Sequence, residues 1–216
     1  MKQITINVYS FNELSESAKQ NAIDNYRNKC YDNSFFYDEI AASVKAAIDL
    51  FGLKTGRTYT DIHYSHIDDN VLQLSGSRLC AYIYNNYGED LFKPKYLKHG
   101  ELTDVKKSFH RMRKQREITN NCPNKGKILV SYYSNIQKDN SCTLTGVCYD
   151  DDILKPVYDF LSNCPSNVTF EDIIQSIESA INKTYNDCED WLNSDEFITE
   201  EIEANGYEFD EDGNRI

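Results

Sequence analysis

The sequence predicts an α+β protein, with an antiparallel sheet of about five strands packed against several helices and an acidic helical C-terminus. Strand-like runs are short and separated by turn residues. Helix-like segments carry apolar residues at three- and four-residue spacing. The two kinds of segment do not alternate with the regularity of a doubly wound parallel fold. A chain of 216 residues, 40% hydrophobic and 12% aromatic, is long enough for one sizeable core or at most two small lobes. Its aromatic content is far above that of a disordered chain.

Residues 3–9 alternate polar and apolar and read as a strand. Ser15 is placed to cap a helix, with Leu14 before it as a hydrophobic staple and Ala18, Ala22, Ile23 and Tyr26 as its apolar face. A second helix fits residues 35–51 through Phe36, Ile40, Val44, Ala47, Ile48 and Phe51, and Gly52 ends it. Residues 58–84 change period. Tyr59, Ile62 and Tyr64, then Val71, Leu72 and Leu74, then Leu79, Ala81 and Ile83 suit short strands, with Asp68-Asp69-Asn70 and Ser75-Gly76-Ser77 as turns. Thr103-Asp104 opens a third helix running to about Arg116. Asn120 to Gly126 is a break. Strands over Lys127–Ile136 and Ser141–Cys148 make a hairpin through Lys138-Asp139-Asn140.

Asp150-Asp151-Asp152 precedes a helix of about ten residues that stops before Pro165. Thr169-Phe170-Glu171-Asp172 resembles a capping box and opens the longest helix, whose face is Ile173, Ile174, Ile177, Ile181, Tyr185, Cys188 and Trp191 or Leu192. Ser194 caps a last short helix, which stops at Asn205-Gly206, and Tyr207-Glu208-Phe209 leads to an Asp212-Gly213 turn. The domain reading is a single α+β domain over residues 1–193, with a sub-lobe break near 118–127. Residues 194–216 form an acidic helix and a terminal hairpin packed on it.

The net charge is −12. Twelve acids fall between Asp187 and Asp212, and Arg215 is the only base from residue 187 onward. Residues 1–186 therefore hold 23 acids and 22 bases, so nearly all of the excess lies at the C-terminal end. No apolar run of eighteen residues exists to span a membrane. The alternating N-terminus is unlike a secretory signal. The seven Cys, an odd number without paired spacing, predict reduced thiols in a cytosol.

No catalytic residue and no cofactor is predicted. A zinc site needs paired Cys or His at short spacing, and no C-x-x-C occurs. His63 and His66, an H-x-x-H, could bind a metal together with Asp68 and Asp69, but on a strand the two His would face opposite sides, and surface and turn residues are the preferred reading. Asp150-Asp151-Asp152 offers carboxylates for Mg²⁺, yet acids at a helix N-terminus are favoured by the helix dipole alone. Asp210-Glu211-Asp212-Gly213-Asn214 opens like a Ca²⁺ loop but lacks a glutamate at the twelfth position, so a hairpin turn is preferred.

Two charged segments remain as binding candidates. Lys106, Lys107, Arg111, Arg113, Lys114 and Arg116 form a cationic stripe on a helix and could meet nucleic-acid phosphates. Asp195, Glu196, Glu200, Glu201 and Glu203 form an acidic helix. It is a solvated face, a docking surface for a basic partner protein, or a nucleic-acid mimic, while Phe197, Ile198 and Ile202 turn to the core.

Tyr9-Ser10-Phe11-Asn12-Glu13-Leu14-Ser15, followed by Ala18-Lys19, Ala22 and Tyr26-Arg27, resembles the opening of a family of small bacteriophage and prophage proteins, some labelled antitoxin-like. Ser194-Asp195-Glu196, Ile202 to Phe209 and Asp212-Gly213 resemble the close of the same family. Where relatives carry a Gly-rich loop after the first internal strand, this chain has Ile62 to Asp69. The resemblance implies a phage accessory protein in a bacterial cytoplasm that inhibits a host defence or nucleic-acid-handling protein by binding it, in the manner of anti-CRISPR proteins. An antitoxin-like or regulatory protein binding nucleic acid through residues 106–116 is the alternative. A metal-dependent enzyme at His63 and His66 is a third reading.

Overall fold

A computed structural model describes residues 7–29, 33–58, 60–91 and 142–216. The chain divides into two compact units. One comprises residues 1–36 and 186–216, here the terminal unit; the other is residues 37–185, the central unit.

In the terminal unit, strand β1 (Tyr9–Ser10) pairs antiparallel with β4 (Glu208–Phe209), Tyr9 opposite Phe209 and Ser10 opposite Glu208. A single 3-10 turn, Phe11–Glu13, follows β1. The Glu13 carboxylate accepts from both the Ser10 N–H and the Ser10 hydroxyl at 2.8 Å. Helix α1 (Glu16–Asn28) starts at Ser15, whose hydroxyl accepts the Ala18 N–H at 3.3 Å and satisfies one orphan donor of the first turn. Leu14, Ala18, Ala22 and Ile23 are buried, as their spacing requires. The last helix, Asp195–Asn205, is capped by Ser194 through the Phe197 N–H and buries Phe197, Ile198 and Ile202. It ends on Gly206 at φ +62°, and α1 packs against it.

The Asp212-Gly213 turn closes against α1. Gly213 has φ +82°, and a Cβ there would lie 2.0 Å from the Ala18 carbonyl oxygen. Only glycine fits so close a backbone approach. The Asn21 amide donates to the Asp212 carbonyl at 2.7 Å and ties the turn down.

The central unit is mostly helical, and its first and last helices carry residues 34–36 and 186–192 of the terminal unit. Helix α2 (Ser34–Phe51) buries Ile40, Val44, Ala47, Ile48 and Phe51 along one stripe and ends at Gly52, φ +64°. Strands β2 (Lys54–Thr55) and β3 (Ile62–His63) form an antiparallel ladder. Then come α3 (Asp69–Leu72), α4 (Gly76–Asn86), α5 (Gly88–Leu91) and α6 (Tyr149–Asn163). Helix α7 (Phe170–Leu192) opens with the Thr169–Asp172 box, Thr169 N–H to the carboxylate at 2.8 Å and Asp172 N–H to the Thr169 hydroxyl at 3.2 Å. It buries Ile173, Ile174, Ile177, Ile181, Cys188 and Leu192. The Asp195–Asn205 helix is therefore α8.

The molecule mixes helix and short antiparallel strand, and helix dominates. Among the described residues the strands form two separate two-stranded sheets rather than one of about five strands. Two predicted strands are helices. Val71, Leu72 and Leu74 lie in and just beyond α3, where the Asp68 carboxylate caps the Asn70 N–H at 2.7 Å. Leu79, Ala81 and Ile83 lie in α4, where Leu79, Cys80, Ile83 and Tyr84 are buried. Leu79 and Ile83 are four apart, a spacing that fits both the strand and the helix period, and burial of Cys80 and Tyr84 resolves it as helix. The expected strand at Ser141–Cys148 is a bent loop over 142–148. The helix 103–116, the break near 118–127 and the strand 127–136 lie outside the described residues.

Cys80 of α4 is disulfide-bonded to Cys164, the left-handed C-cap of α6 (φ 44°), with 6.4 Å between the Cα atoms. This departs from the expectation of reduced thiols. Partners 84 positions apart are brought together by tertiary packing, and no short spacing announces them. Among the described residues no helix is long and apolar enough to cross a membrane.

Candidate protein-docking surface

Helix α8 turns its apolar triad inward and presents carboxylates outward. Glu196, Glu200 and Glu203 are exposed on one helical side, and Glu201 is half-buried beside them with the Asn205 amide donating to its carboxylate at 3.3 Å. Among the described residues no ion pair reaches Glu196, Glu200 or Glu203. Asp195 differs. Arg27 of α1 forms an ion pair with it through Nη2, donates from Nη1 to Asp24 at 2.8 Å, and donates from Nε to the Asn193 carbonyl at 3.1 Å. Among the described residues, then, no arginine or lysine pairs with four of the five predicted acids, and Arg27 holds the fifth.

An aromatic cluster adjoins these acids. The Trp191 ring lies 4.4 Å from that of Phe197 of α8 and 5.3 Å, edge-on, from that of Phe36, which in turn meets Phe35 at 5.6 Å. Phe197 is buried, but Phe35 is 64% exposed and Trp191 46%. The sequence left Trp191 and Leu192 as alternatives for the buried end of α7. Leu192 takes that place, so the indole is displaced toward solvent. Phe35 had no assignment, and its only signal was a large apolar residue next to the helical stripe that Phe36 begins.

A groove of about 390 Å³ opens between the β1 region and the C-terminal end of α8, with Tyr9, Glu13, Glu203, Tyr207 and Glu208 among its walls. Arg215 stacks its guanidinium 3.5 Å from the centre of the Tyr207 ring, a cation–π contact within the same unit.

The other acidic clusters have structural tasks. Asp150 is fully buried, and its carboxylate accepts the N–H groups of Leu144, Thr145 and Gly146 at 2.7–3.1 Å and the Thr145 hydroxyl at 2.8 Å. This is why residues 142–148 bend around a carboxylate instead of extending into a strand. Asp151 accepts the Cys142 N–H at 3.1 Å, and burial pushes its carboxyl above the usual carboxylate range. Asp210 accepts from the Asn214 side-chain amide at 3.0 Å, the Asn214 N–H at 2.8 Å and the Asp212 N–H at 3.0 Å, and these hydrogen bonds, the side-chain one foremost, hold its carboxyl below that range. It caps its own turn, as the hairpin reading expects.

His66 Nε2 sits 2.6 Å from the Gly52 carbonyl, His63 is 3.6 Å from Asp61, and Asp68 caps α3, so the four predicted residues do not converge. Among the described residues no group of three or more His, Cys, Asp or Glu is placed to hold a metal ion. The cationic run Lys106, Lys107, Arg111, Arg113, Lys114 and Arg116 lies outside the described residues. No family model, curated protein or solved structure matches this chain.

Proposed function

We propose that the chain is a non-enzymatic phage accessory protein that inhibits a bacterial defence or nucleic-acid-handling protein by stoichiometric binding. The single observation that carries this reading is the half-exposed ring of Trp191 packed on Phe197 of the helix that presents Glu196, Glu200 and Glu203, with the exposed Phe35 joined to it through Phe36. Binding energy at protein interfaces concentrates in aromatic anchors, with tryptophan foremost, and complementary charge around them steers the encounter. The partner's surface is accordingly basic. A further support is that both segments resembling the phage family fall in one compact unit, joined by the β1–β4 ladder and by α1 against α8.

The test is charge reversal. Glu200→Lys, Glu201→Lys and Glu203→Lys together abolish inhibition of the host target while the circular-dichroism spectrum stays unchanged. Wild-type affinity falls as salt is raised from low to physiological strength, because the Debye length shrinks to about 8 Å. Inhibition that survives the triple reversal removes the acidic helix from the interface and ends this reading.

A further inference from the structure

We infer that the Trp191–Phe35 surface is a receptor for arginine side chains of an extended partner segment, the indole face taking the guanidinium and the neighbouring carboxylates neutralising it. The inference rests on the proposed docking function and names the chemistry of its occupant.

Three observations converge on it. The indole contacts the rings of Phe197 and Phe36 and is still 46% exposed, so it is held in place and partly open at once. A ring already ordered by its neighbours loses little freedom on binding, and tryptophan is the best aromatic acceptor of a cation. The surroundings are carboxylates. Asp187 precedes Trp191 by one helical turn, Asp190 is its chain neighbour, and Asp195 and Glu196 open α8; Asp187, Asp190 and Glu196 are all exposed. Residues 7–29, 33–36 and 186–216 hold fifteen acids against four bases.

The third observation is how this unit handles its own arginines. Arg27 is held by two carboxylates and a backbone carbonyl, and Arg215 lies over a tyrosine ring. The Trp191 surface offers both kinds of partner, ring and carboxylate, in one place. Arginine suits it better than lysine, because a planar and weakly hydrated guanidinium stacks on a ring while its edge donates to carboxylates.

Trp191 is the only tryptophan in the chain, so its emission reports this site alone. The probe is a short peptide of alternating arginine and glycine, blocked at both ends, with a second peptide in which citrulline replaces arginine. Titrating the full chain with the arginine peptide changes the emission saturably, and the citrulline peptide leaves it unchanged. With fluorescein-labelled peptide read by anisotropy, Trp191→Leu weakens binding at least about fivefold. Phe35→Ser, at a side chain whose loss leaves no cavity, weakens it in the same direction. Asp187→Asn with Asp190→Asn weakens it further than Asp49→Asn with Asp152→Asn, two exposed acids of the central unit.

Equal response to the two peptides, binding without an emission change, or equal loss from the two Asp pairs overturns the inference. A peptide that does not bind, beside a host target still inhibited in a Glu200-dependent manner, sinks the arginine receptor and leaves the docking function standing. A peptide that binds as described while the triple charge reversal leaves inhibition intact does the opposite.

Discussion

The two units of this molecule use negative charge in opposite ways. Residues 1–36 and 186–216 contain sixteen acids and five bases, whereas residues 37–185 contain nineteen acids and eighteen bases. In the central unit a carboxylate is part of the fabric: Asp150 is enclosed and organises the loop before α6. In the terminal unit Glu13 and Asp210 close turns at the surface, and Glu196, Glu200 and Glu203 face water from α8. Charge enclosed by backbone donors stabilises a loop and is lost to any partner. Charge on a helix whose other face is apolar remains available. The difference is the reason the docking function is proposed for the terminal unit, and three predictions bear on the contrast.

The largest effect is expected at Asp150. Asp150→Ala strips the acceptor from three backbone N–H groups and the Thr145 hydroxyl in a part-buried setting, and each orphaned donor carries a desolvation penalty. Unfolding in urea should show a loss of about 3 kcal/mol or more. Asp152→Ala, at an exposed neighbour on the same helix turn, should stay within about 0.5 kcal/mol. Similar small losses for both would mean that the enclosed carboxylate contributes no more than a surface acid, and the contrast between the units would collapse.

The terminal unit is instead vulnerable at its backbone. Gly213 and Gly206 share the left-handed conformation, but a Cβ at Gly206 meets nothing within 4 Å, while one at Gly213 runs into the Ala18 carbonyl. Gly206→Ala therefore costs about 1 kcal/mol, the left-handed penalty alone. Gly213→Ala adds a forced separation of the turn from α1 and should cost roughly 2–3 kcal/mol, with loss of the Asn21–Asp212 hydrogen bond visible as faster amide exchange around the turn. Equal costs at the two glycines would show that the turn yields freely and does not anchor α1.

Much of this fold was legible where a local rule has a single solution. Ser15, Thr169 and Ser194 cap helices, and Gly52 and Gly206 end them. Each such signal acts within one turn of chain, so no tertiary fact is needed to read it. The α7 stripe from Ile173 to Leu192 was legible for a similar reason, because 23 residues of one period leave little ambiguity. The segment from Val71 to Ile83 was misread because its apolar residues fall at two- and four-residue spacings, and burial against the rest of the unit decides between periods. The loop at 142–148 was misread because its organiser, Asp150, lies after it in sequence and looks like an ordinary helix-start acid. At the candidate docking surface the acids of α8 could be read from sequence. The exposure of Trp191 could not, since it depends on Leu192 winning the inward position. Neither the Arg27–Asp195 pair nor the Cys80–Cys164 bond has a local signature.

The smallest effect expected is in acid, and its value is in its sign. Hydrogen bonds from Asn214 and the turn amides hold the Asp210 carboxyl below the usual range, and those from Ser10 do the same for Glu13. A carboxylate lowered in the fold binds protons more readily when unfolded, so its contribution is full above its unfolded pKa and fades as pH falls through the folded value. Asp151 runs the other way. Burial raises it, so its ionised form opposes folding at neutral pH, and protonation relieves that as pH falls through the raised value. Asp210→Asn should therefore destabilise at pH 7, with the loss fading as pH falls through the lowered folded value. Asp151→Asn should be neutral or stabilising at pH 7, with its advantage shrinking in acid. Urea midpoints for the two variants, taken from neutral to acidic pH, should approach wild type from opposite sides. Approach from the same side would mean that the two carboxylates sit in equivalent environments, against the geometry of one closing an exposed turn and the other lodged beside the buried Asp150.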